Sequence, residues 1–80
     1  MPETPLKRAM DRLAVSASEA ARATGRSRQS IYLYRSGRKM PAADVAAALC
    51  RLLKRHNEQA DPSPYLPSDL TVENLFGRAS

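Results

Sequence analysis

Side chains that can pair with DNA bases are concentrated in one short stretch of the sequence, residues 27–33. An arginine can form a bidentate pair with guanine, and a glutamine can do the same with adenine. Arg28 and Gln29 are therefore candidates for contacts with base edges, while Tyr32 and Leu33 can pack on a thymine methyl group. The predicted base-reading residues are Ser27, Arg28, Gln29, Tyr32 and Leu33.

Cationic and hydroxyl side chains that can hold phosphates surround this stretch. Residues 22–39 contain six basic side chains and no acidic one. Cations in a loop or at a helix end are better placed to bind a DNA backbone than to enter a groove. The predicted phosphate contacts are Ser18, Arg26, Ser30, Arg35, Ser36, Arg38 and Lys39.

Charge is distributed unevenly along the 80 residues, whose net charge is +5. Residues 1–56 carry 12 basic and 4 acidic side chains, a net of +8, whereas residues 57–80 carry 1 and 4, a net of −3. A concentrated positive charge attracts polyanions because their condensed counterions are released. The first part of the chain therefore predicts a polyanionic partner, and the acidic second part argues against that segment lying on DNA.

The elements that position these side chains are predicted to be short helices. Alanine, leucine, arginine and lysine, which favour helix, dominate the composition, and strand patterns are nearly absent. The sequence therefore predicts an all-α fold, a compact bundle of four to five helices. Capping residues and apolar periodicity place these helices at residues 5–13, 17–24, 28–36, 41–56 and 71–76, with Gly77 beyond the last.

Four residues give the second and third helices the spacing of a helix-turn-helix. Ala21 allows a second helix to cross closely, and Gly25 suits the tight turn because glycine tolerates a positive φ. Ile31 and Tyr34 then direct one side of the third helix into the core. Residues 1–56 are predicted to be a helix-turn-helix DNA-binding domain, and residues 57–80 a proline-containing connector with a short C-terminal helix.

This pattern resembles the Cro and phage-repressor type of helix-turn-helix, also called the XRE family. The likeness covers roughly residues 4–56, and the residues that carry it are Ala21, Gly25, Gln29, Ser30, Ile31, Ser36, Gly37, Arg38 and Lys39. The resemblance implies a bundle like that of lambda repressor, which binds operators as a homodimer through the major groove.

The resemblance also implies roles for individual side chains. It places Arg28, Gln29 and Tyr32 at base-reading positions, and it places the basic pair at residues 38–39 where the family contacts the DNA backbone. Repressors of this family often pair an arginine of the first helix with a glutamate late in the third. Because Met10 and Arg35 stand nearest to those positions, that pair is expected to be absent.

Residue types argue against metal, cofactor and catalytic chemistry. One histidine and one cysteine cannot supply a four-ligand zinc site within one chain, and no phosphate loop or nucleophile–base pair is apparent. We therefore expect no metal site, no cofactor and no enzymatic activity.

The longest apolar run, residues 45–50, is too short to cross a membrane. A lone cysteine fits a reducing, cytoplasmic compartment. The family resemblance implies a nucleoid-associated protein of a bacterium or a phage-infected host.

The leading hypothesis is a sequence-specific transcriptional repressor that binds double-stranded DNA as a homodimer. The dimer surface is expected at the far end of the fourth helix and in residues 65–76. One alternative is an antitoxin-like or adaptor module whose residues 57–80 bind a protein partner, with autoregulatory DNA binding. A further alternative is RNA binding through the same basic patch, which the scarcity of aromatic side chains disfavours.

Overall fold

The fold was obtained as a computed structural model that describes residues 4–76. This part of the chain contains five α-helices and no strand: α1 Pro5–Arg12, α2 Ala17–Thr24, α3 Arg28–Ser36, α4 Ala43–Gln59 and α5 Val72–Phe76. A single 3-10 turn, Pro67–Asp69, lies between α4 and α5. The all-α prediction is confirmed, whereas the predicted position of Gly77 lies outside the described residues.

The first three helices begin at hydroxyl residues that satisfy free backbone N–H groups. Thr4, Ser16 and Ser27 each accept a hydrogen bond, at 3.1 Å, from the N–H three residues later. α2 and α3 end at Gly25 and Gly37, which adopt the left-handed conformation with φ of +72° and +79°. These short-range signals explain why the predicted bounds of α2 and α3 are confirmed.

α1 and α4 differ from their predicted bounds. α1 ends at Arg12, and the turn to α2 passes through Ala14, a non-glycine residue with φ of +56°. α4 begins two residues later than predicted because the backbone is still extended at Ala42. It also continues to Gln59, past the predicted end at residue 56, and stops before Pro62, whose ring disfavours helix at the preceding residue.

The C-terminal segment returns to the core that α1, α2, α3 and α4 enclose. Leu70 and Leu75 are fully buried in the same apolar cluster as Ile31 and Leu53. Accordingly, α5 packs against α1 and α4. The predicted connector is shorter than expected, since it loses residues to α4 at one end and to the 3-10 turn at the other.

Asn57 holds this returning segment in place. Its side-chain amide donates to the Tyr65 carbonyl at 2.9 Å and its side-chain oxygen accepts from the Tyr65 N–H at 3.1 Å. The Tyr65 ring lies beneath the guanidinium of Arg12, with 5.8 Å between Cζ and the ring centroid. Asn57 is a buried polar residue whose amide is matched to the backbone, so it fixes where the chain turns back.

Candidate nucleic-acid interface

α2 and α3 form a helix-turn-helix whose inner side is buried. α2 packs against α3, Ala21 is buried on α2, and Ile31 is completely buried on α3. At the turn, the Arg26 N–H bonds to the Ala21 carbonyl at 3.1 Å while Gly25 takes its positive φ. Tyr34 is also buried.

The outer side of α3 presents a row of polar side chains to solvent. Arg28, Gln29 and Tyr32 are exposed, as the sequence predicts for side chains that read bases. Leu33 is half-buried and lies at the edge of this row. Because α3 is packed on its opposite side, its first two turns form a fixed ridge that can enter a groove of DNA.

Ser27 and Ser30 are engaged with each other at the start of α3. The Ser27 hydroxyl caps the helix through the Ser30 N–H and also donates to the Ser30 hydroxyl at 3.1 Å. Ser27 is exposed and Ser30 half-buried, so both hydroxyls lie at the helix N-terminus. A helix N-terminus carries partial positive charge, which suits an approaching phosphate.

Exposed cations flank the ridge on both sides. Arg26 lies in the turn before α3, and Arg38 and Lys39 lie in the loop after it. Ser18, in the first turn of α2, is also exposed. Ser36 is exposed, but its hydroxyl donates to the Leu33 carbonyl at 3.0 Å. Exposed cations therefore precede and follow α3 along the chain.

Arg35 differs from the other predicted phosphate contacts because it faces the protein. One terminal nitrogen of its guanidinium donates to a carboxylate oxygen of Asp11, in α1, at 2.9 Å. Lys7, one turn earlier in α1, donates to the other oxygen of Asp11 at 2.7 Å. The hydrogen bond from Lys7 holds the pKa of the Asp11 carboxyl below its ordinary value, and the positive charges of Lys7 and Arg35 act in the same direction.

Comparison with protein families identifies this arrangement. A family model described as a helix-turn-helix domain matches residues 5–62 of the 80. The chain belongs to this XRE/Cro-type helix-turn-helix family. Membership makes it a DNA-binding regulator by class and confirms the resemblance found in the sequence. Neither the search of curated proteins nor the search of solved structures returned a match.

A charge pair that the sequence did not predict joins α1 to α3, with its polarity reversed relative to the arginine–glutamate pair of the family's repressors. Met10, the nearest candidate on α1, is buried in the core. The partner of Arg35 is the next residue, Asp11, and the acid lies on α1 instead of α3. Asp11 lies about 100° around α1 from Met10, the residue that the family resemblance indicated, and the pair was missed for that reason.

A second contact between polar side chains of two helices, α2 and α4, was not predicted from the sequence. His56 Nε2, near the end of α4, lies 2.7 Å from a carboxylate oxygen of Glu19 in the first turn of α2. The sequence placed each residue at a helix end but contained no signal that the two ends meet. This contact fixes the N-terminus of α2, and therefore Ser18, against the longest helix of the domain.

Residues 4–76 also bear on three other kinds of site: a membrane span, a metal site and a reactive cysteine. No helix in this range is long and apolar enough to span a bilayer. The same residues contain no group of three His, Cys, Asp or Glu side chains that can hold a metal ion. Cys50 is buried on α4, and burial raises the pKa of its thiol, so that this group is less nucleophilic than a free cysteine.

Proposed function

We propose that this helix-turn-helix protein is a Cro-like transcriptional repressor that binds a palindromic operator as a homodimer. The observation that carries the proposal is the exposed row of Arg28, Gln29 and Tyr32 on a helix whose other side is buried. Among residues 22–39 no acidic side chain opposes the approach of DNA. Such a regulator would act in the cytoplasm of a bacterium or of a phage-infected host.

In this proposal the first two turns of α3 read bases in the major groove. Arg28 pairs with a guanine and Gln29 with an adenine, since these side chains match the acceptor and donor patterns of those bases. Tyr32 and Leu33 pack on a thymine methyl group, and Ser27 lies at the end of the same row. Each well-formed bidentate pair contributes about 1–3 kcal/mol of discrimination against a wrong base.

The flanking cations hold the DNA backbone and set the register of α3. Arg26, Arg38 and Lys39 are the proposed charged contacts, assisted by the hydroxyls of Ser18, Ser30 and Ser36. Three cations per protomer neutralise about six phosphates in a dimer. The logarithm of the binding constant should then fall with the logarithm of salt concentration with a slope of about −5, and a monomer should give about half that slope.

A second copy of the chain supplies the second recognition helix. One helix reads only a few base pairs, so specificity requires two half-sites about one DNA turn apart. In residues 65–76, Leu70 and Leu75 are used inside the core, whereas Leu66 is 67% and Val72 42% exposed. We propose that these two exposed side chains form the dimer contact, and Leu66→Glu should shift the protein towards monomer in sedimentation measurements.

Selection of bound duplexes from a random pool, followed by gel shifts on the winning sequence, tests this function. The expected result is a palindrome, with Arg28→Ala weakening binding by about 1–3 kcal/mol and relaxing preference at one base pair of each half-site. Arg51→Ala is the matched control, because Arg51 is an exposed arginine on α4 and outside the proposed contact set. Equal affinity for all duplexes would overturn the proposal.

A second candidate is an antitoxin-like or adaptor module in which the C-terminal segment binds a protein partner and DNA binding is autoregulatory. The exposed Leu66 favours it, as does a cleft of about 190 Å³ between the start of α1 and α5 that Met40 and Phe76 line. Deleting residues 57–80 cannot test it, because Leu70 and Leu75 belong to the core. Leu66→Glu is the better variant: if the dimer and its operator affinity stay intact, Leu66 is not a dimer contact, and this exposed side chain is left for a protein partner.

A further inference from the structure

Arg35 lies on the recognition helix, yet its side chain is turned towards the protein. The side chain is 17% exposed, in contrast to the exposed cations at residues 26, 38 and 39. Its Nε atom is buried and has no hydrogen-bond partner among the described residues. One terminal N–H group of the guanidinium donates to Asp11, 2.9 Å away, which holds the side chain against α1.

The other side of the same guanidinium meets a base-reading candidate. Arg35 Cζ lies 5.9 Å from the ring centroid of Tyr32, one turn earlier on α3, and Tyr32 is 57% exposed. This distance is within the range of a cation–π contact. With Lys7 and Ser36, the two side chains line a depression of about 370 Å³, so the position of the Tyr32 ring sets one wall of it.

α1 holds both the backbone and the side chain of Arg35. The Thr4 hydroxyl, at the start of α1, donates to the Arg35 carbonyl. Asp11, near the end of α1, takes the guanidinium, and Lys7 between them holds the second carboxylate oxygen of Asp11. The last turn of α3 is therefore fixed at two points along a single neighbouring helix.

We propose that Arg35 is a positioning residue that sets the orientation of the Tyr32 ring through its ion pair with Asp11, and is not a phosphate contact. The inference rests on the proposed DNA-binding function and deepens it. It replaces the phosphate role that the sequence predicts for Arg35. In this arrangement Asp11, on a helix that does not touch the bases, determines how sharply the protein discriminates at the base pair facing Tyr32.

Two measurements on the selected operator separate the positioning role from phosphate contact. The first is discrimination at the base pair whose preference Tyr32→Ala abolishes, expected to be about 5- to 150-fold in the wild type. The second is the salt slope, to which each phosphate-bound cation contributes about 0.9. Arg35→Ala should lose the discrimination and keep the slope, whereas the control Lys39→Ala should keep the discrimination and reduce the slope.

Asp11→Asn gives a different result if Arg35 positions Tyr32 than if Arg35 binds a phosphate. If Arg35 positions Tyr32, this variant loses discrimination at the same base pair, and Asp11→Glu restores it. If Arg35 can bind phosphate, removing its carboxylate partner releases the cation and operator binding becomes tighter. Circular dichroism must show each variant folded, and Asp11, half exposed, tolerates the amide.

The outcomes also separate this inference from the function on which it rests. Tighter binding by Asp11→Asn, or a salt slope reduced by Arg35→Ala with discrimination unchanged, overturns the positioning role while DNA binding stands. If Arg28→Ala and Lys39→Ala have no effect on binding to the selected duplex, the proposed function fails instead. Parallel loss of discrimination in Arg35→Ala and Asp11→Asn, with the slope unchanged, supports the inference.

Discussion

The burial of Leu70 allows a quantitative test of whether the C-terminal segment is part of the DNA-binding domain. Leu70 has no exposed surface and lies in the same cluster as residues of α1, α3 and α4. Replacing a fully buried leucine with alanine removes its transfer free energy and leaves a cavity, which together cost about 2–5 kcal/mol. Leu70→Ala should therefore lower the free energy of unfolding by at least about 2 kcal/mol.

That loss is a large fraction of what a domain of this size possesses. At about 0.05–0.15 kcal/mol per residue, an 80-residue chain has a free energy of unfolding of about 4–12 kcal/mol. With a urea m-value of about 1 kcal/mol per molar, the unfolding midpoint should fall by about 2 M or more. The melting temperature should fall by at least about 8 °C, and circular dichroism at 222 nm follows both transitions.

Leu66→Ala is the matched control for this experiment. It makes the same chemical change four residues earlier, at a side chain that is 67% exposed. At a protein concentration low enough to keep the chain monomeric, it should alter stability by no more than about 0.5 kcal/mol. A cost below about 1 kcal/mol for Leu70→Ala, or equal costs for the two variants, would mean that the segment does not contribute to the core. The reasoning that joins residues 57–76 to the domain would then be refuted.

Two further predictions concern the turn after α1 and the pair that α1 forms with α3. Ala14→Gly should raise the free energy of unfolding by about 0.5–1 kcal/mol, because φ of +56° strains an L-residue and not glycine; a urea midpoint that falls would contradict this. The pKa of Asp11 is lowered in the folded state, so its stabilising contribution is present above the ordinary carboxyl pKa and is lost as pH falls through the lowered value. The wild type should therefore exceed Asp11→Asn in stability at neutral pH and converge with it in acid, whereas a pH-independent difference would exclude the ion pair as the cause.

The sequence predicted the parts of this fold that depend on interactions between residues close together in the chain. A capping hydroxyl, a left-handed glycine and an apolar stripe each act within one or two turns of a helix. Ser27 and Gly37 therefore located α3 to the residue, and Ile31 indicated which side of α3 faces inward. The end of α4 was misplaced because nothing stops the helix before Gln59; composition changes at residue 57, but hydrogen bonding does not.

The parts that the sequence did not predict depend on how helices are rotated against one another. Arg35 and Asp11 are 24 residues apart, and Glu19 and His56 are 37 apart. Periodicity shows that a residue lies on the polar side of its own helix, but not which residue of another helix it meets. Contacts of this kind depend on packing angles with wide scatter, so an error of one residue is enough to exchange Met10 for Asp11.

The reversed polarity of the pair between α1 and α3 has a consequence for recognition. Repressors of this family often place the acid of such a pair on the third helix. Here the acid is Asp11 on α1 and the cation is Arg35 on α3, so the pair remains neutral while the recognition helix itself carries no acidic residue. The cation is then available to the face of Tyr32, a contact that a glutamate at the same place cannot make. In this chain the charge pair joins α1 to the last turn of α3. Through Arg35, the packing of α1 is therefore coupled to Tyr32, the side chain that we propose faces a base.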